Sequence, residues 1–245
     1  MHMASLGSHG QRILYFDTHT GKILTPDFVK NSVVTWVCKN DGNSIWLYAR
    51  SKGLMLINTS DFSSTLFENR DNRLPPACDV IDLYKVNSNV FIVSSCGDII
   101  QFDVNRKRFR LSKNTLSAGN IYDNSGIDKF GNIYLVSQQA DMIYFDTQGF
   151  QFYPATYYTK NNKLISVRSM QYDATNNILL LGTYGQGLFV FDYRTQTLSQ
   201  YKKNGDGISL SSNYVQRAIS DNNGVVYIGY DGMGFDVLDP LLKSL

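Results

Sequence analysis

The sequence predicts an all-β chain, a β-propeller of four-stranded antiparallel blades, with about five blades plus a partial one. Three observations carry that prediction. A hydrophobic strand signal and a strand-ending Asn or Asp stand 12 positions apart five times, at Trp46–Asn58, Phe91–Asp103, Tyr134–Asp146, Leu180–Asp192 and Tyr227–Asp239. The strand positions return at intervals of 45, 43, 46 and 47 residues, the length of one blade. No stretch carries a convincing amphipathic-helix period.

Each repeat has the same parts in the same order. An alternating apolar strand such as 33–37 comes first, followed by a polar turn, often Asp-x-x-Gly as in Asp128–Gly131 and Asp221–Gly224. Asp bonds the nearby backbone there and Gly tolerates positive φ. The second strand is rich in β-branched and aromatic residues, which suit a pleated, buried position, as in Ile45–Leu47, Val90–Val93, Ile133–Val136, Ile178–Leu181 and Val225–Ile228. A glycine-marked hairpin leads to the third strand, at Gly53–Ile57, Asp98–Phe102, Met142–Phe145, Gly187–Phe191 and Gly234–Leu238. The fourth is more polar, as in Thr65–Phe67 and Thr197–Tyr201. Length drift is confined to this fourth strand and its connections, as repeat packing requires.

At the start, Arg12–Asp17 reads as a third strand and Lys22–Leu24 as a fourth. Residues 1–11, opening Met1-His2-Met3-Ala4-Ser5, are set aside as an expression leader, and 12–245 is taken as a single propeller or propeller fragment. The last repeat ends at its third strand. Circular closure would leave one N-terminal strand over, so a piece of a larger propeller is the favoured reading. Unpaired sheet edges invite pairing with another chain, and self-association as a dimer is expected.

Hydrophobic residues make up 43% and charged residues 18%, a folded rather than a disordered profile. The 23 basic and 21 acidic residues nearly cancel, which speaks against nucleic acid or an anionic membrane as partner. No run of about 18 apolar residues is present to span a bilayer. The three cysteines, Cys38, Cys78 and Cys96, fall in different repeats without a CxxC pair. They are read as semi-buried thiols and not as a zinc site; spacing alone does not argue a disulfide.

Several motifs have plain structural readings. The glycine-rich strings Gly182–Gly187 and Gly229–Gly234 lie between strands, whereas a phosphate-cradling loop needs a helix N-terminus after it. They are read as hairpins. The basic run Arg106–Arg110 falls at a third-to-fourth-strand turn and is read as a solvated edge. His19, on a hairpin, is the one histidine outside the leader, too little for a nucleophile–base pair. No metal-ligand cluster and no cofactor motif is present. A glycosidase needs two carboxyl groups about one bond. The innermost strands offer Asp82 and little else, since Asp41, Asp128, Asp173 and Asp221 belong to turns. The chain is expected not to be an enzyme.

In a propeller, the loops from strand two to three and from strand four to one share one face. That face, with the starts of the inner strands, would display Trp36, Arg50, Gln138, Arg168, Tyr184, Tyr214, Arg217, Tyr230 and Asp231. Aromatic rings beside amides and guanidinium groups suit a sugar, and equally a protein partner.

The last repeat reads Leu210-Ser211-Ser212-Asn213-Tyr214-Val215, then Ala218-Ile219-Ser220-Asp221, then Val226-Tyr227-Ile228-Gly229 and Gly232-Met233-Gly234-Phe235-Asp236-Val237-Leu238-Asp239. The repeat before it carries Leu181-Gly182-Thr183 and Gly187-Leu188-Phe189-Val190-Phe191-Asp192. These strings resemble the two-component regulator propeller repeat. The resemblance covers residues 12–239. It departs where the family's second-strand Trp survives only as Trp46, and where Tyr48-Ala49, Val93-Ser94 and Val136-Ser137 replace Gly-Thr. It implies the periplasmic sensor region of a hybrid two-component system histidine kinase from Bacteroides-type bacteria. In such receptors an immunoglobulin-like domain, a membrane helix and the kinase follow the propellers, and oligosaccharides from glycan breakdown are sensed. A general protein–protein scaffold is the alternative, and a propeller glycoside hydrolase or lyase the less favoured one. The repeat motif is structural and assigns no ligand residue.

Overall fold

The structure, a computed structural model, describes residues 2–6, 12–16, 23–24, 34–49, 52–69, 74–75, 77–117, 119–137, 142–155, 167–204, 209–221 and 223–238. All regular structure among them is β-strand, and the chain divides into two compact units, Met1–Lys113 and Asn114–Leu245.

In the first unit, β1 (His2–Leu6), β2 (Arg12–Phe16) and β3 (Ile23–Leu24) form a three-stranded antiparallel sheet in chain order. β2 and β3 are the two strands expected near the N-terminus. β1, from the stretch set aside as a leader, pairs with β2 along its length. Two four-stranded sheets follow: β4 (Val34–Lys39), β5 (Ser44–Ala49), β6 (Gly53–Asn58) and β7 (Ser64–Phe67), then β8 (Val80–Val86), β9 (Asn89–Ser94), β10 (Ile99–Asp103) and β11 (Arg108–Ser112).

The second unit holds β12 (Tyr122–Ile127), β13 (Ile133–Ser137), β14 (Met142–Asp146) and β15 (Gln151–Pro154), and then β16 (Val167–Asp173), β17 (Ile178–Thr183), β18 (Leu188–Asp192) and β19 (Thr197–Tyr201). The last sheet has β20 (Val215–Ser220), β21 (Val226–Tyr230) and β22 (Phe235–Leu238). Simple up-and-down order in every sheet is the blade architecture of a propeller.

The interval of 12 now has a physical cause. In all five central hairpins a second-strand residue pairs with the residue 10 positions on: Trp46 with Leu56, Phe91 with Gln101, Tyr134 with Tyr144, Leu180 with Val190 and Tyr227 with Val237. Two residues further comes the strand-ending Asn or Asp, and at the four such positions among the described residues its side-chain oxygen accepts the backbone N–H two positions ahead. Asn58 takes Ser60 at 2.9 Å, Asp103 takes Asn105 at 3.0 Å, Asp146 takes Gln148 at 2.9 Å and Asp192 takes Arg194 at 2.7 Å. Only short side chains with an oxygen at this reach form such a turn.

Each of these turns ends on a non-glycine residue in the left-handed region, at Phe62, Lys107, Phe150 and Gln196, with φ of 58°, 53°, 57° and 58°. That conformation costs an L-residue about 1–2 kcal/mol. Lys107 is exposed within the basic run Arg106–Arg110, which caps the β10–β11 hairpin as the sequence predicts. Lys107→Gly is therefore expected to raise Tm by about 2–4 °C, the shift that about 1 kcal/mol gives a chain of this size. A melting scan showing a lower Tm would contradict this account of the turn.

The turns after the first strands follow the Asp-x-x-Gly reading. Asp128 Oδ1 accepts Phe130 and Asn132 N–H at 2.8 and 2.9 Å, Asp221 Oδ1 accepts Asn223 and Val225 at 2.8 and 3.0 Å, and Gly131 and Gly224 both take φ of 82°.

Blades pack face to face by one rule within each unit. Trp46, Tyr48, Leu54 and Leu56 of β5–β6 lie on Val90, Ile92, Ile100 and Phe102 of β9–β10. Tyr134, Val136, Met142 and Tyr144 of β13–β14 lie on Leu179, Leu181, Phe189 and Phe191 of β17–β18. Leu180, Leu188 and Val190 lie in turn with Ala218, Val226, Ile228 and Leu238 of the last sheet. Period-two alternation gives each hairpin two apolar faces, one for each neighbour.

The reading of three semi-buried thiols in different repeats is corrected, because Cys78 and Cys96 flank strands of one sheet. Cys78, before β8, and Cys96, in the β9–β10 turn, form a disulfide with Cα atoms 5.4 Å apart. Backbone bonds between the same segments, Ser95 N–H to Asp79 carbonyl at 2.7 Å and Asp79 N–H to Ser95 Oγ at 3.0 Å, already bring them together. Cys38 is free, and burial, helped by the Asp82 carboxylate, pushes its thiol up to about 12. It is an inert thiol at neutral pH.

Candidate functional site

The five complete first-to-second-strand pairings share one irregularity that no sequence pattern announced. Each first strand slips by one residue at the same place, between Val34 and Trp36, Val80 and Asp82, Tyr122 and Asn124, Val167 and Ser169, and Val215 and Arg217. The extra residues are Thr35, Ile81, Asp123, Arg168 and Gln216. A bulge bends its strand and re-aims a side chain, and bulges gather beside functional sites.

In the second unit, two bulge residues meet. Arg168 on β16 sets a guanidinium nitrogen 3.7 Å from an Asp123 carboxylate oxygen on β12. The guanidinium carbon stands 5.1 Å above the centre of the Tyr184 ring, within cation–π range. Tyr184 follows β17, and its ring meets that of Tyr214 edge to face at 4.7 Å between centres and 70° between planes. The two backbones also bridge there. Yet the rings remain 45% and 48% exposed, large apolar surfaces held in place but open to solvent.

The frame under this cluster is tied together by hydrogen bonds. Gly185 and Gly187 N–H both donate to the Asn213 carbonyl at 2.9 Å, clamping the β17–β18 hairpin to the segment before β20. Thr183 Oγ1 donates to the Gly187 carbonyl at 2.7 Å inside the hairpin. Gly187 is required there: its φ is +80°, and a Cβ would strike the Tyr201 carbonyl oxygen. The string Gly182–Gly187 is thus a hairpin, as predicted, and it carries the exposed tyrosine. Arg168 Nε is itself buried without a hydrogen-bond partner among the described residues, which leave this guanidinium incompletely satisfied.

Of the nine residues expected on the binding face, Arg168, Tyr184 and Tyr214 come together. Asp123 completes the group and was missed. Arg217 and Asp231 are exposed, on β20 and in the β21–β22 turn. Tyr230 is only 8% exposed and donates its hydroxyl to Asp236, which also accepts Ser211 N–H at 2.8 Å and Ser211 Oγ–H at 2.6 Å. It is a strut between β21 and the segment before β20; burial and the Asp236 bond push its phenol above the ordinary range. Trp36, in the first unit, spends its indole N–H on the Val80 carbonyl at 2.9 Å, tying β4 to β8. Arg50 and Gln138 lie outside the described residues, as does His19.

Other candidate chemistry is spent on structure. Asp82 accepts Leu83 N–H at 2.8 Å and the Tyr84 hydroxyl at 2.6 Å. No group of three metal-ligating side chains exists among the described residues. An open depression of about 390 Å³ in the first unit is lined by Asn43, Ser44, Leu56, Asn58, Ser60, Ser63 and Thr65. It holds no aromatic ring and no charge, and Asn58 is already engaged in its turn.

These features define the class: a β-propeller of four-stranded blades. No family model matches the chain, and no curated protein matches it. Among solved structures, it is similar to the extracellular domain of the hybrid two-component system BT4673 of B. thetaiotaomicron, with a TM-score of 0.68 and 17% identity over 96% of this chain. The extracellular domain of the hybrid two-component system BT3049 of B. thetaiotaomicron gives 0.69 and 14% over 96%. The chain spans 31% of the length of each. Virginiamycin B lyase from Staphylococcus aureus gives 0.59 and 9% identity, covering 84% of this chain and 69% of the lyase. At these identities the likeness shows the fold alone.

Proposed function

We propose that the chain is part of the extracytoplasmic signal-input propeller of a hybrid two-component sensor. In this reading it is non-catalytic and periplasmic. Its ligand is an oligosaccharide released by glycan breakdown, and the parent receptor, a histidine kinase, regulates glycan use as a self-associating dimer. The observation that carries the ligand reading is the exposed Tyr184–Tyr214 pair beside the Arg168–Asp123 ion pair. Sugar rings have apolar faces that stack on aromatic rings, and hydroxyl rims that take charge-assisted bonds from guanidinium and carboxylate. Both kinds of group are present within one cluster, on a scaffold that positions them before any ligand arrives. The likeness to two sensor ectodomains supports the sensor role. The Cys78–Cys96 disulfide supports an oxidising compartment, since structural disulfides persist outside the reducing cytosol.

Isothermal titration against a panel of plant and host oligosaccharides tests this reading. One member is expected to release heat with wild type. Tyr184→Ala and Tyr214→Ala are each expected to weaken it at least about tenfold, the loss of about 1.4 kcal/mol, with circular dichroism unchanged. Silence across the panel, or equal affinity in both variants, would remove the site and favour a protein–protein scaffold.

A further inference from the structure

The packing rule between blades leaves one face open. At the junctions within each unit, the face holding the second-strand marker residue receives the next blade: Trp46 receives β9–β10, Tyr134 receives β17–β18, and Leu180 receives β20–β22. In the last sheet the equivalent face holds Tyr227 opposite Val237 and Gly229 opposite Phe235, with Ile219 beside Tyr227. Leu180 and Leu188, at the positions of Tyr227 and Phe235, are 1% and 0% exposed, whereas Tyr227, Val237 and Phe235 are 37%, 51% and 67% exposed. Ile219 adds 43%. This is a sheet face of exposed apolar side chains, bordered by the exposed Arg217 opposite Gly229, and such a patch marks an interaction surface.

A second feature specifies what fits it. At Gly182, in the sheet before, a Cβ would run into a Val215 methyl and the Ser169 hydroxyl: the missing side chain is a socket that the next blade's first strand fills. Gly229 is the register equivalent of Gly182, opposite Arg217 as Gly182 is opposite Ser169. There a Cβ would meet nothing closer than the Arg217 carbonyl at 3.6 Å. The socket is built, with no side chain in it.

We infer that the Tyr227–Phe235–Val237 face is a blade-docking surface. Its occupant is a further antiparallel blade that presents branched aliphatic and aromatic residues, as Leu179, Leu181, Phe189 and Phe191 do, with a Val215-like side chain over Gly229. Continuity with three junctions of the same register selects a blade over a small ligand, which would cover one or two of these side chains and leave the flat remainder wet. The surface is independent of the ligand reading.

The test supplies the blade. The chain is lengthened by a second copy of its own residues 193–239 placed after Asp239, which adds a turn, a fourth strand and three further strands in the natural period. The lengthened chain is expected to melt as one cooperative unit, several degrees above the parent. Phe235→Asp or Gly229→Val in the first copy is expected to abolish that gain, while the same changes in the parent move its Tm by less than about 1 °C, as exposed positions do. An added segment that melts separately or stays unfolded overturns the proposal. So does a Phe235→Asp loss as large in the parent as in the lengthened chain. Light scattering on the parent supplies the remaining arm: a dimer that Phe235→Asp dissociates would assign the face to a second copy and overturn the blade.

Discussion

Trp46→Ala is expected to lower stability by about 3–5 kcal/mol, the range for deleting a large buried aromatic. Trp46 is fully buried, and its ring sits 5.6 Å from Phe67 and 5.7 Å from Phe102. It therefore joins its own blade's fourth strand to the hairpin of the next blade, and deletion opens a void between two layers that cannot collapse independently. Trp46→Phe should behave quite differently. It keeps a ring in the same place and removes an indole N–H that is buried without a hydrogen-bond partner among the described residues. The cost of the smaller ring is offset by relief of an unsatisfied donor, itself worth about 1–3 kcal/mol. Urea unfolding should show a large drop in midpoint for Ala and a small shift for Phe. Equal losses would mean that the indole nitrogen matters and that the packing account of this position is wrong.

Removing the disulfide is the second large effect. Cys78 and Cys96 enclose a sequence separation of 18, for which loop-closure entropy gives about 3 kcal/mol. Cys78→Ser with Cys96→Ser is expected to lower stability by about that amount, and reductant should do the same to wild type but nothing to the double variant. Thiol titration of unfolded wild type should count one free thiol, Cys38. Three thiols in protein isolated from an oxidising compartment would contradict the pairing and withdraw its support for an extracytoplasmic location.

What the sequence disclosed and what it hid divide along physical lines. The hairpin interval was legible because pairing of residue with residue 10 positions on is rigid, and the Asn or Asp beyond it is demanded by turn geometry that few side chains satisfy. The bulges were not legible. Thr35, Ile81, Asp123, Arg168 and Gln216 share no chemistry, because a bulge needs an extra residue and not a particular one. Hence Arg168 is expected on the binding face from its place at the start of an inner strand, while nothing in the sequence marks its partner Asp123. Tyr230 shows a signal that was present but outweighed. Val226, Ile228 and Tyr230 fall on one face by alternation, and all three are buried; its place beside a glycine turn suggested a loop position instead. The disulfide joins a connection to a hairpin two strands away, and sequence separation carries no trace of that approach.

The central claim is that binding chemistry gathers where the bulged inner strands β12 and β16 of neighbouring blades meet Tyr184 of the β17–β18 hairpin and Tyr214 just before β20. Amide chemical-shift mapping with the oligosaccharide that releases heat tests it most directly. The account predicts that the largest perturbations fall on Asp123, Arg168, Tyr184, Gly185 and Tyr214 and vanish in Tyr184→Ala. Perturbations centred instead on the Asn43–Thr65 depression, with these five unmoved, would contradict it.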